Sequence, residues 1–103
     1  MIMIRIMLAC SAGMSTSLLV TKMEAAAKEN GIDAKIWAIS EAQIDQEVGN
    51  FDVLLLGPQV RFMLEKAKKI VGDSAPVEVI NMAHYGMCNG KAVLDRALEL
   101  AGK

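Results

Sequence analysis

The sequence predicts a small α/β domain: a doubly wound, four-stranded parallel sheet in the order 2-1-3-4, flanked by helices on both faces. Short apolar runs rich in Ile, Val and Leu alternate with stretches of helical periodicity. Strands regularly separated by helices imply right-handed crossovers and a parallel sheet. The most apolar runs, the first and the third, show little period-2 alternation, as central strands buried on both faces should, and so belong in the middle. At 103 residues the chain is expected to form one domain, residues 1–103, around a single core.

Residues 3–9 form the first strand, dense in Ile, Met and Leu and ending in a cluster of small residues. Residues 15–30 carry Leu19, Met23 and Ala26 at helical spacing and stop at Asn30-Gly31. Residues 34–39 read as the second strand, and Ser40 with Gln43 makes a capping box for a short helix reaching about Val48. Residues 52–56 are the clearest buried strand. After Gly57-Pro58, Val60, Met63, Leu64, Ala67, Ile70 and Val71 mark one helical stripe that ends at Gly72. Residues 77–80 follow Pro76 as the fourth strand. Residues 81–90 read as a loop, leading to a last helix with Leu94, Ala97, Leu98 and Ala101 inward. The eight methionines fall mostly at core-compatible positions, Met14 excepted.

Composition narrows the function. Although 53% of residues are apolar, the longest apolar stretch, residues 1–10, is interrupted by Arg5. It is far short of the roughly 20 residues a membrane span needs, so no direct membrane insertion is expected. The same interruption argues against a secretion signal, and a cytoplasmic location follows as the expectation. Eleven basic residues face twelve acidic ones with no Lys/Arg run, which leaves no electrostatic footprint for nucleic acid. Cys10 and Cys88 lack Cys-x-x-Cys spacing, so neither a thioredoxin-type centre nor a zinc site is indicated. No metal and no cofactor are expected.

Ligands of such sheets bind beyond the carboxyl ends of the strands where the winding reverses, here between residues 10–16 and 57–60. The first of these loops runs Cys10, Ser11, Ala12, Gly13, Met14, Ser15, Thr16, Ser17. Unpaired amides of a tight small-residue loop and a helix start cradle an anion, and the positive end of the helix favours a thiolate nucleophile. Gly13 permits backbone angles closed to other residues, and the hydroxyls of Ser11, Ser15, Thr16 and Ser17 are candidate donors to phosphate or caps. The plain alternative makes Cys10 a buried apolar residue. A cysteine phosphatase carries Cys-x5-Arg, its guanidinium forked onto the phosphoryl oxygens; here that position is Thr16. Without the arginine, the site should hold a thiophosphate rather than hydrolyse it, and Thr16→Arg should restore hydrolysis. The Gly-x4-Gly-Lys-Ser/Thr phosphate loop is also absent.

The segments 8–20 (Leu-Ala-Cys-Ser-Ala-Gly-Met-Ser-Thr-Ser-Leu-Leu-Val), 55–59 (Leu-Leu-Gly-Pro-Gln), 77–80 (Val-Glu-Val-Ile) and Tyr85-Gly86 together resemble the enzyme IIB component of the phosphoenolpyruvate-dependent sugar phosphotransferase system, lactose/cellobiose/chitobiose branch. The resemblance runs the length of the chain and implies a four-stranded parallel sheet with flanking helices. It implies that Cys10 accepts a phosphoryl group from a phosphohistidine of a IIA partner and passes it to a sugar bound by a membrane IIC permease, the sugar being a β-linked disaccharide such as cellobiose, chitobiose or lactose. Residues 11–17 would be the phosphate-binding loop. Pro58, Gln59 and Tyr85 would shape the partner surface, with loop and packing roles as their alternatives. His84 is given no catalytic role, and Cys88 an apolar packing role rather than a redox partnership with Cys10. A monomer is expected. A low-molecular-weight cysteine phosphatase and a small regulatory binding module are the competing readings.

Overall fold

The computed structural model describes residues 3–10 and 14–102, with backbone alone at positions 14 and 15. Four strands, β1 (Ile4–Cys10), β2 (Ala34–Ser40), β3 (Val53–Leu56) and β4 (Val77–Val79), form one sheet in the order β2-β1-β3-β4. Every neighbouring pair is parallel. The predicted fold class and strand order are therefore those observed.

The weak alternation of β1 has a simple cause: both of its faces are covered. Ile4, Ile6 and Leu8 join Val53 and Leu55 of β3 in a cluster with Leu19, Met23, Ala26 and Ala27 of α1 (Met14–Glu29) and Val93, Leu94 and Ala97 of α5 (Gly90–Leu100). Met7 and Ala9 point the other way with Leu54 and Leu56. They meet Ile44 of α2 (Ile44–Glu47) and Ala67 and Val71 of α3 (Leu64–Val71). Arg5, the charge inside the apolar run, sits at the opposite end of β1 from Cys10. Its backbone amide and guanidinium both donate to the Asp52 carboxylate, the latter at 3.0 Å, pinning the start of β3 against β1.

The capping box forms as read: the Ser40 amide donates to Gln43 Oε1 at 3.3 Å and the Ala42 amide to Ser40 Oγ at 3.4 Å. Three expectations need correcting. The stripe from Val60 begins as a 3-10 helix, Pro58–Met63, because Val60 departs from helical angles (φ −117°, ψ 26°); only Leu64–Val71 is α-helical. The segment 81–90 is not all loop: it contains α4 (Met82–Gly86), capped by Asn81 Oδ1, which accepts from the amides of Ala83 and His84 at 2.9 and 3.2 Å. Finally, Met3, Met82 and Met87 are exposed rather than core residues. Leu98 and Ala101 pack only partly against the core.

Candidate functional site

Cys10 ends β1, beside Ser40 on β2, and its side chain is fully buried. On its other side the chain leaves β3 through Gly57, whose amide donates to the Ala9 carbonyl at 2.9 Å. A β carbon at Gly57 would stand 2.5 Å from Gln59 Oε1, the end of a side chain that would have to shift, and 3.3 Å from the β carbon of Cys10. The Gln59 carboxamide thus folds back over Gly57 to the side on which Cys10 stands.

From Gln59 the site continues outward. Gln59 Nε2 donates to the hydroxyl of Tyr85, in α4, at 2.9 Å. The same hydroxyl lies 3.3 Å from Thr16 Oγ1, in the first turn of α1. Thr16 is fully buried although it lies in a hydroxyl-rich run, and Ser17 beside it is exposed. Residues following three different strands therefore converge at the carboxyl end of the sheet, where the strand order reverses. The backbone of α1 becomes helical at Met14, so a helix start lies close beyond the end of β1, the arrangement that favours an anion.

The structure brings together Cys10, Thr16, Gln59 and Tyr85 from the residues singled out in the sequence. Ser11, Ala12 and Gly13, and the side chains of Met14 and Ser15, lie outside the described residues. Pro58 starts the 3-10 helix and lines a groove of about 670 Å³ with Gln59, Arg61, Phe62, Met82 and Tyr85. Phe62 (76% exposed) and Met82 (61% exposed) were missed by the sequence reading. The available signal was that Phe62 falls off the buried stripe of Val60, Ala67 and Val71, so an aromatic side chain there had to face outward. His84, although adjacent to Tyr85, lines a different groove, with Glu78 and Arg96 beside β4. Cys88 is half-buried, is in no disulfide, and has φ +50° in the turn joining α4 to α5; it shapes a helix end rather than filling the core. Among the described residues no group of His, Cys, Asp or Glu is placed to hold a metal ion, and no helix is long and apolar enough to cross a membrane.

Fold and site together define a doubly wound α/β domain with a cysteine at the switch point of its sheet, framed by a helix start and a hydrogen-bonded Thr-Tyr-Gln network. The family model for the phosphotransferase system lactose/cellobiose specific IIB subunit matches residues 5–96, and the chain belongs to that family. It is 54% identical over 101 residues to the galactose-specific EIIB component of Lactococcus lactis subsp. cremoris (strain MG1363), covering 92% of this chain and 94% of the relative. It is 52% identical over 101 residues, with the same coverage, to the cellobiose-specific EIIB component of Lactococcus lactis subsp. lactis (strain IL1403). Among solved structures, the cellobiose-specific phosphotransferase IIB component of Borrelia burgdorferi superposes with a TM-score of 0.81 at 42% identity, covering 97% of this chain and 93% of that one. The chain is thus a IIB component of a sugar-uptake phosphotransferase system, a phosphotransferase.

Proposed function

We propose that this IIB component carries the phosphoryl group on Cys10 Sγ, receiving it from a phosphohistidine of a IIA protein and delivering it to a sugar held by a IIC permease. The observation that carries the reading is the position of Cys10, at the end of the central strand where the sheet changes winding direction, with the start of α1 close by. In the first step sulfur attacks phosphorus, the P–N bond breaks with its electron pair going to the imidazole nitrogen, and that nitrogen takes the thiol proton. In the second, a sugar hydroxyl oxygen attacks, the P–S bond breaks toward sulfur, and the hydroxyl proton restores the thiol. Each step is an in-line exchange that asks the domain for orientation and anion stabilisation rather than for an acid or base of its own.

Phosphatase chemistry is not favoured. Thr16 stands where the phosphatase fork needs an arginine, and its hydroxyl is engaged with Tyr85. The burial of Cys10 also suits a carrier, because a thiophosphate shielded from water outlives an exposed one; docking of the partner must then uncover the sulfur. The groove beside Gln59 and Tyr85, with Phe62 and Met82 exposed on it, is the face we assign to that docking. For the sugar we propose a β-linked disaccharide of the cellobiose, chitobiose or lactose type. Relatives named for galactose and for cellobiose match this chain almost equally, so the choice of sugar is assigned to the permease. The working form is a cytoplasmic monomer.

Intact-protein mass spectrometry at neutral pH tests the reading. The protein is incubated with phosphoenolpyruvate, the general phosphotransferase proteins and a IIA partner, and wild type is compared with Cys10→Ser. A phosphate-sized adduct in wild type alone is expected. An adduct that survives in Cys10→Ser, or none in wild type beside a fully phosphorylated IIA, would overturn it.

A further inference from the structure

Tyr85 does more at this site than its place on the docking groove requires. Its ring packs against the core cluster beneath α1 and α5, which leaves the hydroxyl as the part with a separate task. That hydroxyl accepts from Gln59 Nε2 at 2.9 Å, and a phenol has a single proton to give. The remaining neighbour, Thr16 Oγ1 at 3.3 Å, is fully buried, and in that contact either oxygen can donate. With the phenol as donor, Thr16 accepts from Tyr85 and keeps its own proton for another acceptor. Hydrogen bonds in series polarise one another, which makes the last donor of such a chain a better partner for an anion. At the other end, Gln59 Oε1 and the β carbon of Cys10 lie within 3.3 Å of the same point above Gly57. The chain Gln59, Tyr85, Thr16 therefore starts beside Cys10 and ends in the helix turn that follows it.

We propose that Tyr85 is a positioning residue for phosphoryl transfer at Cys10: its hydroxyl turns the Thr16 proton toward the phosphoryl group and holds Gln59 against the end of the cysteine strand. The inference rests on the phosphocysteine reading and goes beyond it, because it makes the transfer rate depend on a hydroxyl presented by the helix after the last strand.

The test is rapid-quench measurement of phosphoryl transfer from a phosphohistidine-bearing IIA protein to wild type, Tyr85→Phe, Thr16→Val, Thr16→Ser and the Tyr85→Phe/Thr16→Val double variant. Tyr85→Phe keeps the ring and its packing. Loss of one hydrogen bond that strengthens onto charge is expected to lower kcat about tenfold with KM for the donor unchanged. Thr16→Ser, which restores the hydroxyl, should transfer faster than Thr16→Val. The double variant should be no slower than its slower parent, since the two hydroxyls act in series. Wild-type kcat in Tyr85→Phe, a change confined to KM, or fully additive losses in the double variant would each overturn the positioning role while leaving the carrier reading intact. Failure of wild type itself to take up phosphate would remove both.

Discussion

Thr16 shows most sharply how little a residue's type says about its setting. In a run of Ser15, Thr16 and Ser17 all three hydroxyls look like equivalent donors or caps, yet Thr16 is fully buried while Ser17 is exposed. That burial changes the Thr16→Arg expectation. A guanidinium at a fully buried position has to displace packed neighbours or bring a charge out of water, so the variant is expected to lose at least about 2 kcal/mol of stability in a urea melt before any hydrolysis is gained. A variant as stable as wild type, with a shortened phosphocysteine lifetime, would return the argument to the phosphatase fork. Cys88 illustrates the same point in the backbone. Its φ of +50° is a left-handed angle that disfavours a β carbon, and nothing in the sequence marks it. Cys88→Gly should therefore keep full stability or gain up to about 1 kcal/mol, the relief of strain being partly offset by chain entropy, and phosphoryl transfer should be retained. A loss of stability would mean that the thiol packs more usefully than the turn is strained.

At the scale of elements, legibility followed periodicity. β1 and β3 were recognisable because both faces are apolar, α1 and α5 because their inward residues repeat at helical spacing, and the turn after β2 because Ser40 and Gln43 cap each other. The five-residue α4 has too few turns to show a period, and its Met82 faces solvent, so it read as loop even though Asn81 stood ready as its cap. That short helix supplies Tyr85, which is why the candidate site was legible as a set of residues but not as a network. Nor did the sequence show how closely α1 and α5 cross. At Gly90 an added β carbon would lie 2.6 Å from the Lys22 carbonyl oxygen and 2.6 Å from the Met23 amide nitrogen, backbone atoms that cannot swing away. Gly90→Ala is expected to push α5 off α1 and cost about 1–3 kcal/mol, read as a lowered urea midpoint. An unchanged midpoint would mean that α5 shifts without cost and that the close crossing contributes nothing to stability.

Over the whole molecule the two ends of the sheet are built for different tasks. At the carboxyl end lie Cys10, its hydrogen-bonded frame and the exposed Phe62 and Met82; at the amino end of β1, the Arg5–Asp52 pair locks the register of the central strands. Along the β4 edge, Arg96 of α5 forks onto Glu78, Nε to Oε2 at 2.8 Å and a terminal nitrogen to Oε1 at 2.7 Å, joining the last strand to the last helix. The hydrogen bonds from Arg96 hold the Glu78 carboxyl below its ordinary value of 4.5; burial opposes them, and the charges of Arg96 and Lys68 add to the lowering. A carboxylate that binds its proton more weakly in the folded state than in the unfolded one stabilises the fold at pH above its unfolded value. That contribution is lost as pH falls through the lower, folded value. Both side chains keep substantial contact with water, so the effect is modest and weakened by salt. Urea midpoints of wild type and Glu78→Gln should therefore differ in favour of wild type at neutral pH, differ less in high salt, and converge once pH drops well below 4.5. A gap that persists unchanged into acid would mean that the glutamate contributes through its packing against α5 rather than through its charge.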